Sequence, residues 1–333
     1  MGDMSIGLLV VLALILGAEF VNGWTDAPNA IATVVSTRVL KPMQAVLMAA
    51  IMNTIGAMTG TAVATTIGKG IVKPESINLL TVGSAMIGIL IWSTAAWYYG
   101  LPTSESHALI SGLAGASLAT AGPEVLLWSG WSKVLIGLVF STFLGFLVGY
   151  FLTVLIYRAF RRSTPRFVNS VFGRLQILSS MFMAFSHGSN DGQKFMGAFA
   201  LALYLGGVTD KFHISWETII VCSIVMGLGT SIGGWRIVKT MGVRMVSIKP
   251  YEGFSAETGA AFAIELASRL GIPLSTTHTI NTAIMGVGAS KYFSAVRWGV
   301  SMEIVTAWIL TFPICFVIGY GSASVAKYLF HIF

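Results

Sequence analysis

Apolar residues come in long blocks along this chain, and the polar residues between them come in short islands. Windows at 5–22, 43–66, 79–99, 133–157, 214–234 and 298–326 qualify as candidate spanning helices, against a requirement of about 20 mostly apolar residues. The first of them lacks a basic leader and passes into further apolar sequence without a small-residue cleavage site. It is therefore expected to be a retained helix rather than a signal peptide. Composition agrees: 55% of the 333 residues are hydrophobic and 10% are charged, with mean hydropathy +0.80, which describes a multi-pass chain that lives in lipid.

The islands repeat. Phe20-Val21-Asn22-Gly23-Trp24-Thr25-Asp26 parallels Phe185-Ser186-His187-Gly188-Ser189-Asn190-Asp191. Further on, Gly100-Leu101-Pro102-Thr103-Ser104-Glu105-Ser106-His107 parallels Gly271-Ile272-Pro273-Leu274-Ser275-Thr276-Thr277-His278 at nearly the same offset. Two islands in the same order in each half indicate a duplication. The division is a first transmembrane repeat over 1–157, a basic connector over 158–174 and a second transmembrane repeat over 175–333. Each island interrupts an apolar segment and leaves a short apolar flank, at 31–35, 108–119, 196–206 and 279–289. All four are therefore expected to break helices, since non-helical backbone at membrane depth persists where protein or a wet cavity satisfies it. Paired interruptions of this kind point to a transporter binding site. Gly56, Gly60, Gly229 and Gly233 recur at four-residue spacing and are expected to serve close helix packing.

Charge adds sidedness. The formal net charge is +7, and Arg158, Arg161, Arg162, Arg166 and Arg174 crowd the central connector without one acid. Arg236, Lys239, Arg244 and Lys249 repeat the pattern over 235–249. Both connectors are expected in the cytoplasm, and short basic connectors argue against a nucleic-acid partner. Cys222 and Cys315 lie in apolar runs and are expected to be buried thiols.

Ser104, Ser106, Ser275, Thr276 and Thr277 directly precede apolar helical runs, where N-caps belong. A helix start with free N–H groups and hydroxyl donors suits a tetrahedral oxyanion; capping alone is the plainer use. Asp26 and Asp191 are carboxylates within spanning segments and are functional by default. Asn22, Thr25 and Asn29 flank the first, and Asn190 and Gln193 the second. Carboxylate with neutral oxygen donors suits sodium or a proton; an ion pair between Asp191 and Lys194 is the competing use of the second. Glu105, which has Thr276 at its matching place, breaks the symmetry; Glu257 competes with Glu265 as a further acid. His107 and His278 are expected to do structural duty, and His187 is not expected to ligate a metal. A cation held beside the anion would make both sites mutually favourable, which gives coupling a physical origin.

These residues resemble the inorganic phosphate transporter (PiT) family, and its bacterial branch in particular, over nearly the whole chain. Asn22-Gly23-Trp24-Thr25-Asp26-Ala27-Pro28-Asn29-Ala30 is similar to the first family signature, departing at Trp24, Thr25, Ala27 and Pro28. His187-Gly188-Ser189-Asn190-Asp191-Gly192-Gln193-Lys194 resembles the bacterial second copy, and Gly271 to His278 the later signature. The resemblance implies an all-α polytopic membrane protein with two inverted repeats, broken or re-entrant helices and about 10–12 membrane segments, with both termini outside. It also implies symport of phosphate with sodium, or alternatively with protons, a location in the cell inner membrane, a homodimer, and no cofactor. Glu257 matches a transport-relevant glutamate, whereas Asn53 stands where many animal members have an acid. The expected phosphate site is Thr25, Ser104, Ser106, Asn190, Gln193, Ser275, Thr276 and Thr277. The expected sodium ligands are Asn22, Asp26, Asn29, Thr103, Glu105, Asp191 and Glu257. Sulfate transport, a passive channel and an intramembrane hydrolase using Ser104 or Ser106 with His107 or His278 are the competing functions.

Overall fold

The computed structural model describes residues 5–330, which fold almost entirely as helix. The first half contains α1 (Ile6–Ser36), α2 (Pro42–Ala57), α3 (Ala62–Gly70), α4 (Leu79–Tyr99), α5 (Glu105–Ala121) and α6 (Trp128–Phe160). The second contains α7 (Pro165–His187), α8 (Gln193–Leu205), α9 (Trp216–Thr230), α10 (Trp235–Lys239), α11 (Pro250–Arg269), α12 (Thr276–Lys291) and α13 (Trp298–Phe330). Helices α1, α4, α6 and α13 are each long and apolar enough to cross a membrane, and α2 with α3 and α9 with the α10 region form bent pairs that together meet the same test. The central connector is shorter than its basic run suggests, because Arg158 still belongs to α6 while Arg166 and Arg174 belong to α7.

Helices α4 and α5 pack against each other as a hairpin. Their outer ends are tied together, Lys73 N–H donating to Val125 O at 2.9 Å and Leu127 N–H to Ile71 O at 3.0 Å. Helices α11 and α12 form a second hairpin, its ends joined where Arg297 N–H donates to Met245 O at 3.0 Å. One local code makes both tips. Gly100 and Gly271 take φ of 72° and 66°, a conformation cheap only for glycine. They close α4 and α11 with Leu101 N–H donating to Ala96 O and Ile272 N–H to Ala267 O, both at 2.9 Å. Pro102 and Pro273 then keep the chain extended, and Ser104 and Ser275 cap the next helices by accepting from His107 N–H at 3.4 Å and His278 N–H at 3.2 Å.

The hairpin tips meet in the middle of the bundle and are pinned in matching ways. Thr240 donates to Gly100 O and Thr66 to Gly271 O, each at 2.8 Å. The long helices clasp the opposite half: α13 lies against α5 and α6 against α12. Glycine makes this approach possible, since a Cβ on Gly115 would collide with Phe316 O and one on Gly286 with Phe146 O. The outward faces of α6 and α13 carry exposed apolar side chains such as Phe143, Phe151, Ile309 and Val317, as a lipid-facing surface must.

Two of the four expected breaks are not breaks. Helix α1 runs unbroken through the first aspartate island with Pro28 inside it, and the second island is a π-helical turn, Gly188–Gly192, that passes α7 into α8. The flanks at 31–35 and 196–206 are therefore ends of through-running helices. Side chains from facing elements supply the polar partners that unwound backbone was expected to supply. The other two, at 100–104 and 271–275, do interrupt the helices, and two further breaks that were not expected fall at 58–61 and 231–234, where the bent pairs turn by 67° and 58°. Gly56 and Gly229 do pack against neighbouring backbone, whereas Gly233, with φ of 90°, belongs to the bend itself.

Candidate functional site

The site forms where α1, the π turn between α7 and α8, and both hairpin tips converge. Helices α5 and α12 begin here, so the site receives two helix starts, each with a partial positive charge and N–H groups not used within the helix. Two buried carboxylates, Asp26 and Asp191, face them.

Asp26 projects from α1. Thr277, in the first turn of α12, donates to its Oδ2 at 3.2 Å and lies 3.4 Å from Oδ1. Asn29, one turn along α1, donates through Nδ2 to Thr277 Oγ1 at 3.0 Å. Asp191 projects from the π turn, where Thr276 donates to its Oδ2 at 3.1 Å. Lys194 Nζ donates to Asp191 Oδ1 at 2.5 Å, to Leu274 O at 3.0 Å and to Ser106 Oγ. The ion pair considered from sequence is thus formed, and it reaches into both hairpins. Ser106 in turn donates to Leu274 O at 3.0 Å, joining the two tips.

His187 stands between the acids, although sequence set it aside. Its Nε2 lies 3.7 Å from Asp26 Oδ2 and 3.7 Å from Asp191 Oδ2, and one ligand atom from each of the three groups falls within 4.8 Å of the others. Its Nδ1 pairs with Asn53 Oδ1 at 3.0 Å, and Asn53 Nδ2 donates to Thr230 at 3.0 Å. Nε2 is left to face the carboxylates. Two carboxylates and an imidazole nitrogen form a set suited to a cation or a shared proton.

Glu105 occupies the first turn of α5, where negative charge is favoured, and accepts from Thr25 at 3.0 Å and Ser93 at 2.7 Å. Thr103 is buried in the linker just before the α5 cap. Four expected residues stand apart from this centre. Asn22 is a turn away on α1, donating to Glu19 Oε2 at 3.2 Å. Asn190 braces the second hairpin through Ser268 Oγ at 2.9 Å and Ile272 O at 3.3 Å. Gln193 spends its amide at the α2–α3 bend, accepting from Val63 N–H at 2.9 Å and donating to Ser189 O at 2.6 Å. Glu257 has its own pocket, accepting from Thr33 at 2.5 Å, Gln176 at 3.2 Å and Ser179. Glu265 instead pairs with Arg269 near the surface, at 3.0 Å. His107 and His278 sit in aromatic packing, stacked on Phe312 and Trp308 with centroids 4.4 and 3.8 Å apart.

Glu19, Asn22, Asp26, Asn29 and Thr33 form one buried polar stripe along α1. Glu19, Ser93, Thr33, Ser179 and Gln176 were not expected from the motifs. The three- and four-residue spacing along α1 is the signal that marks Glu19 and Thr33; the others come from distant segments and carry none.

The phosphate transporter family model matches residues 22–319, a span that includes three of the islands whole and the first from Asn22 onward. The chain belongs to the phosphate transporter family. It is 43% identical over 308 residues to a "probable low-affinity inorganic phosphate transporter" of Rhizobium meliloti strain 1021, covering 92% of each chain. A protein of the same description from Bacillus subtilis strain 168 is 39% identical over 326 residues, covering 95% of this chain and 97% of its own. A solved structure described as "The sodium-dependent phosphate transporter" superposes with a TM-score of 0.87 at 25% identity, covering 97% of this chain and 100% of the other. Membership makes the chain a membrane transporter rather than an enzyme.

Proposed function

We propose that this chain imports inorganic phosphate across the inner membrane together with a coupling cation, sodium in the first instance, by alternating access of two inverted halves. The observation that carries this is the meeting of two opposed helix starts, dressed with Ser106, Thr276 and Thr277, against two buried carboxylates. The helix starts and hydroxyls suit phosphate, and the carboxylates suit the cation. Coupling follows from shared hydroxyls. Thr277 donates to Asp26 here; a cation on the Asp26 oxygens would release that hydroxyl and turn it toward the anion. Each ion thereby favours the other.

Thr25, Ser104 and Ser275 complete the anion side of the site, while Asn190 and Gln193 hold its frame. Asn29, Thr103 and Glu105 flank the cation at Asp26, and Glu257 with Thr33 serves a further cation position along α1. The name of the sodium-dependent structural neighbour supports sodium. A second cation reading, the proton, is favoured by His187 lying equally far from both acids. The inverted arrangement is supported by hairpins whose ends are tied on the α3 side in one half and on the α10 side in the other. Arg161 and Lys249 line one cavity near the start of α11, which supports a cytoplasmic location for that end.

Uptake of labelled phosphate into proteoliposomes tests the proposal, comparing inward sodium and inward proton gradients with excess sulfate as competitor. Concentrative uptake under one gradient, resistant to sulfate, is expected. Uptake indifferent to both gradients would leave a passive channel, and strong competition would make sulfate the cargo.

A further inference from the structure

Lys194 is a large, fully buried cation at the centre of a membrane protein. An ammonium group has three N–H donors and no acceptor. All three are used: Asp191 Oδ1 at 2.5 Å, Leu274 O at 3.0 Å and Ser106 Oγ. No donor is left to clamp an oxyanion. An ion pair three residues apart on one helix needs Asp191 alone, yet Nζ also takes a hydroxyl from the first hairpin and a carbonyl from the second. Carboxylate, hydroxyl and backbone carbonyl oxygens from separate elements are the ligands a small hard cation takes.

The other half shows what this position looks like without the lysine. Aligning the aspartate islands places Asp26 on Asp191 and Asn29 on Lys194; aligning the hairpin islands places Thr277 on Ser106 and Thr103 on Leu274. At Asp26 the hydroxyl is present, and Asn29 Nδ2 bonds Thr277 at 3.0 Å. The residue in the lysine's place is therefore a neutral amide, and the nearest titratable nitrogen, His187 Nε2, is 3.7 Å away and shared with Asp191.

The geometry points to Lys194 as a tethered cation that fills one of two equivalent cation positions, leaving the position at Asp26 for a mobile coupling cation. The inference rests on the cation-coupled reading above and sets its arithmetic. Each phosphate moves with one mobile cation fewer than it would if both halves carried asparagine at this place. The ammonium neutralises Asp191 in every step of the cycle, so that carboxylate never waits for an ion from solution.

The test replaces Lys194 by the residue of the other half, Lys194→Asn, in the full-length protein. Reversal potentials of phosphate flux in proteoliposomes give the charge moved per phosphate. The expected result is one additional coupled positive charge in the variant, with sodium and pH series showing whether sodium or a proton supplies it. Thermal unfolding of the detergent-solubilised variant against sodium chloride, with choline chloride as control and repeated across pH, gives a readout independent of transport. Stabilisation by added sodium or by acid, larger than in wild type, supports the inference. An unchanged charge per phosphate in an active variant overturns it. For an inactive variant, the absence of any added sodium or acid stabilisation overturns it equally. Lys194→Arg, which keeps the charge, must leave the cation dependence of unfolding as in wild type; a gain there also overturns the inference. Failure of wild type to take up phosphate under any cation gradient would instead remove the functional reading, and the unfolding series would still decide whether the lysine stands in for an ion.

Discussion

The half-sites at Asp26 and Asp191 begin from the same island and are completed by the same kind of hairpin, yet they are neutralised differently. Asp191 holds a lysine ammonium and a threonine hydroxyl. Asp26 holds a threonine hydroxyl with a neutral amide behind it. One carboxylate is satisfied from within the chain, and the other is left able to exchange its partner. On the reading proposed above, the islands supply two matching positions, and Lys194 against Asn29 is the difference in charge that divides them into a fixed and a variable one. The contrast extends along the helices. On α1 the polar stripe continues from Asp26 through Asn29 and Thr33 to Glu257, whereas beyond Lys194 helix α8 continues with buried Ala198, Leu201 and Ala202.

The largest way to break this comparison is to remove the residue at the matching place beside each carboxylate in turn. Lys194→Leu strands a buried carboxylate and is expected to cost about 3–5 kcal/mol in stability at low sodium and neutral pH. Asn29→Leu removes one neutral hydrogen bond and is expected to cost about 1 kcal/mol. Equal losses in thermal unfolding would mean that the two positions are energetically alike. Next in size are the hydroxyls. Thr276→Val removes a donor from an ion-paired carboxylate, and Thr277→Val removes one from Asp26, each a hydrogen bond to a charged group of about 1.5–3 kcal/mol. The Thr277 change is expected to weaken both phosphate and cation dependence of uptake, because that hydroxyl serves both ions. The Thr276 change is expected to act on phosphate alone. The smallest effect should be symmetric: Ser104→Ala and Ser275→Ala each remove an N-cap and are expected to cost about 1 kcal/mol, by the same amount in the two halves. Unequal cap losses would show that the asymmetry reaches beyond the charged centre.

The hairpins were legible because each is written locally: a left-handed glycine, a proline and a capping serine within a few residues, present twice. The aspartate islands were less so. Polar residues inside an apolar segment look alike whether the helix unwinds or runs through, and only the three- and four-residue spacing of Glu19, Asn22, Asp26, Asn29 and Thr33 tells that they share one face of an intact helix. The bends at 58–61 and 231–234 were hidden for a similar reason, since glycines that permit close packing and glycines that permit a turn are the same letter. Glu257 was visible as an acid in a small, apolar stretch, but its partners Thr33, Gln176 and Ser179 come from α1 and α7 and meet it only in three dimensions. His187 was visible and set aside. It lies 3.7 Å from both carboxylates, one of which, Asp191, sits in the π turn that no local pattern announced.

The most direct measurement is phosphate uptake by Asp26→Asn and wild type side by side in proteoliposomes under an inward gradient of the driving cation. Asparagine keeps the size of the side chain and its hydrogen bonding with Thr277 while removing the charge a mobile cation needs. The account predicts a variant that folds as wild type does, with concentrative uptake lost. Undiminished concentrative uptake by a folded Asp26→Asn protein would contradict it, because the exchangeable cation would then reside elsewhere.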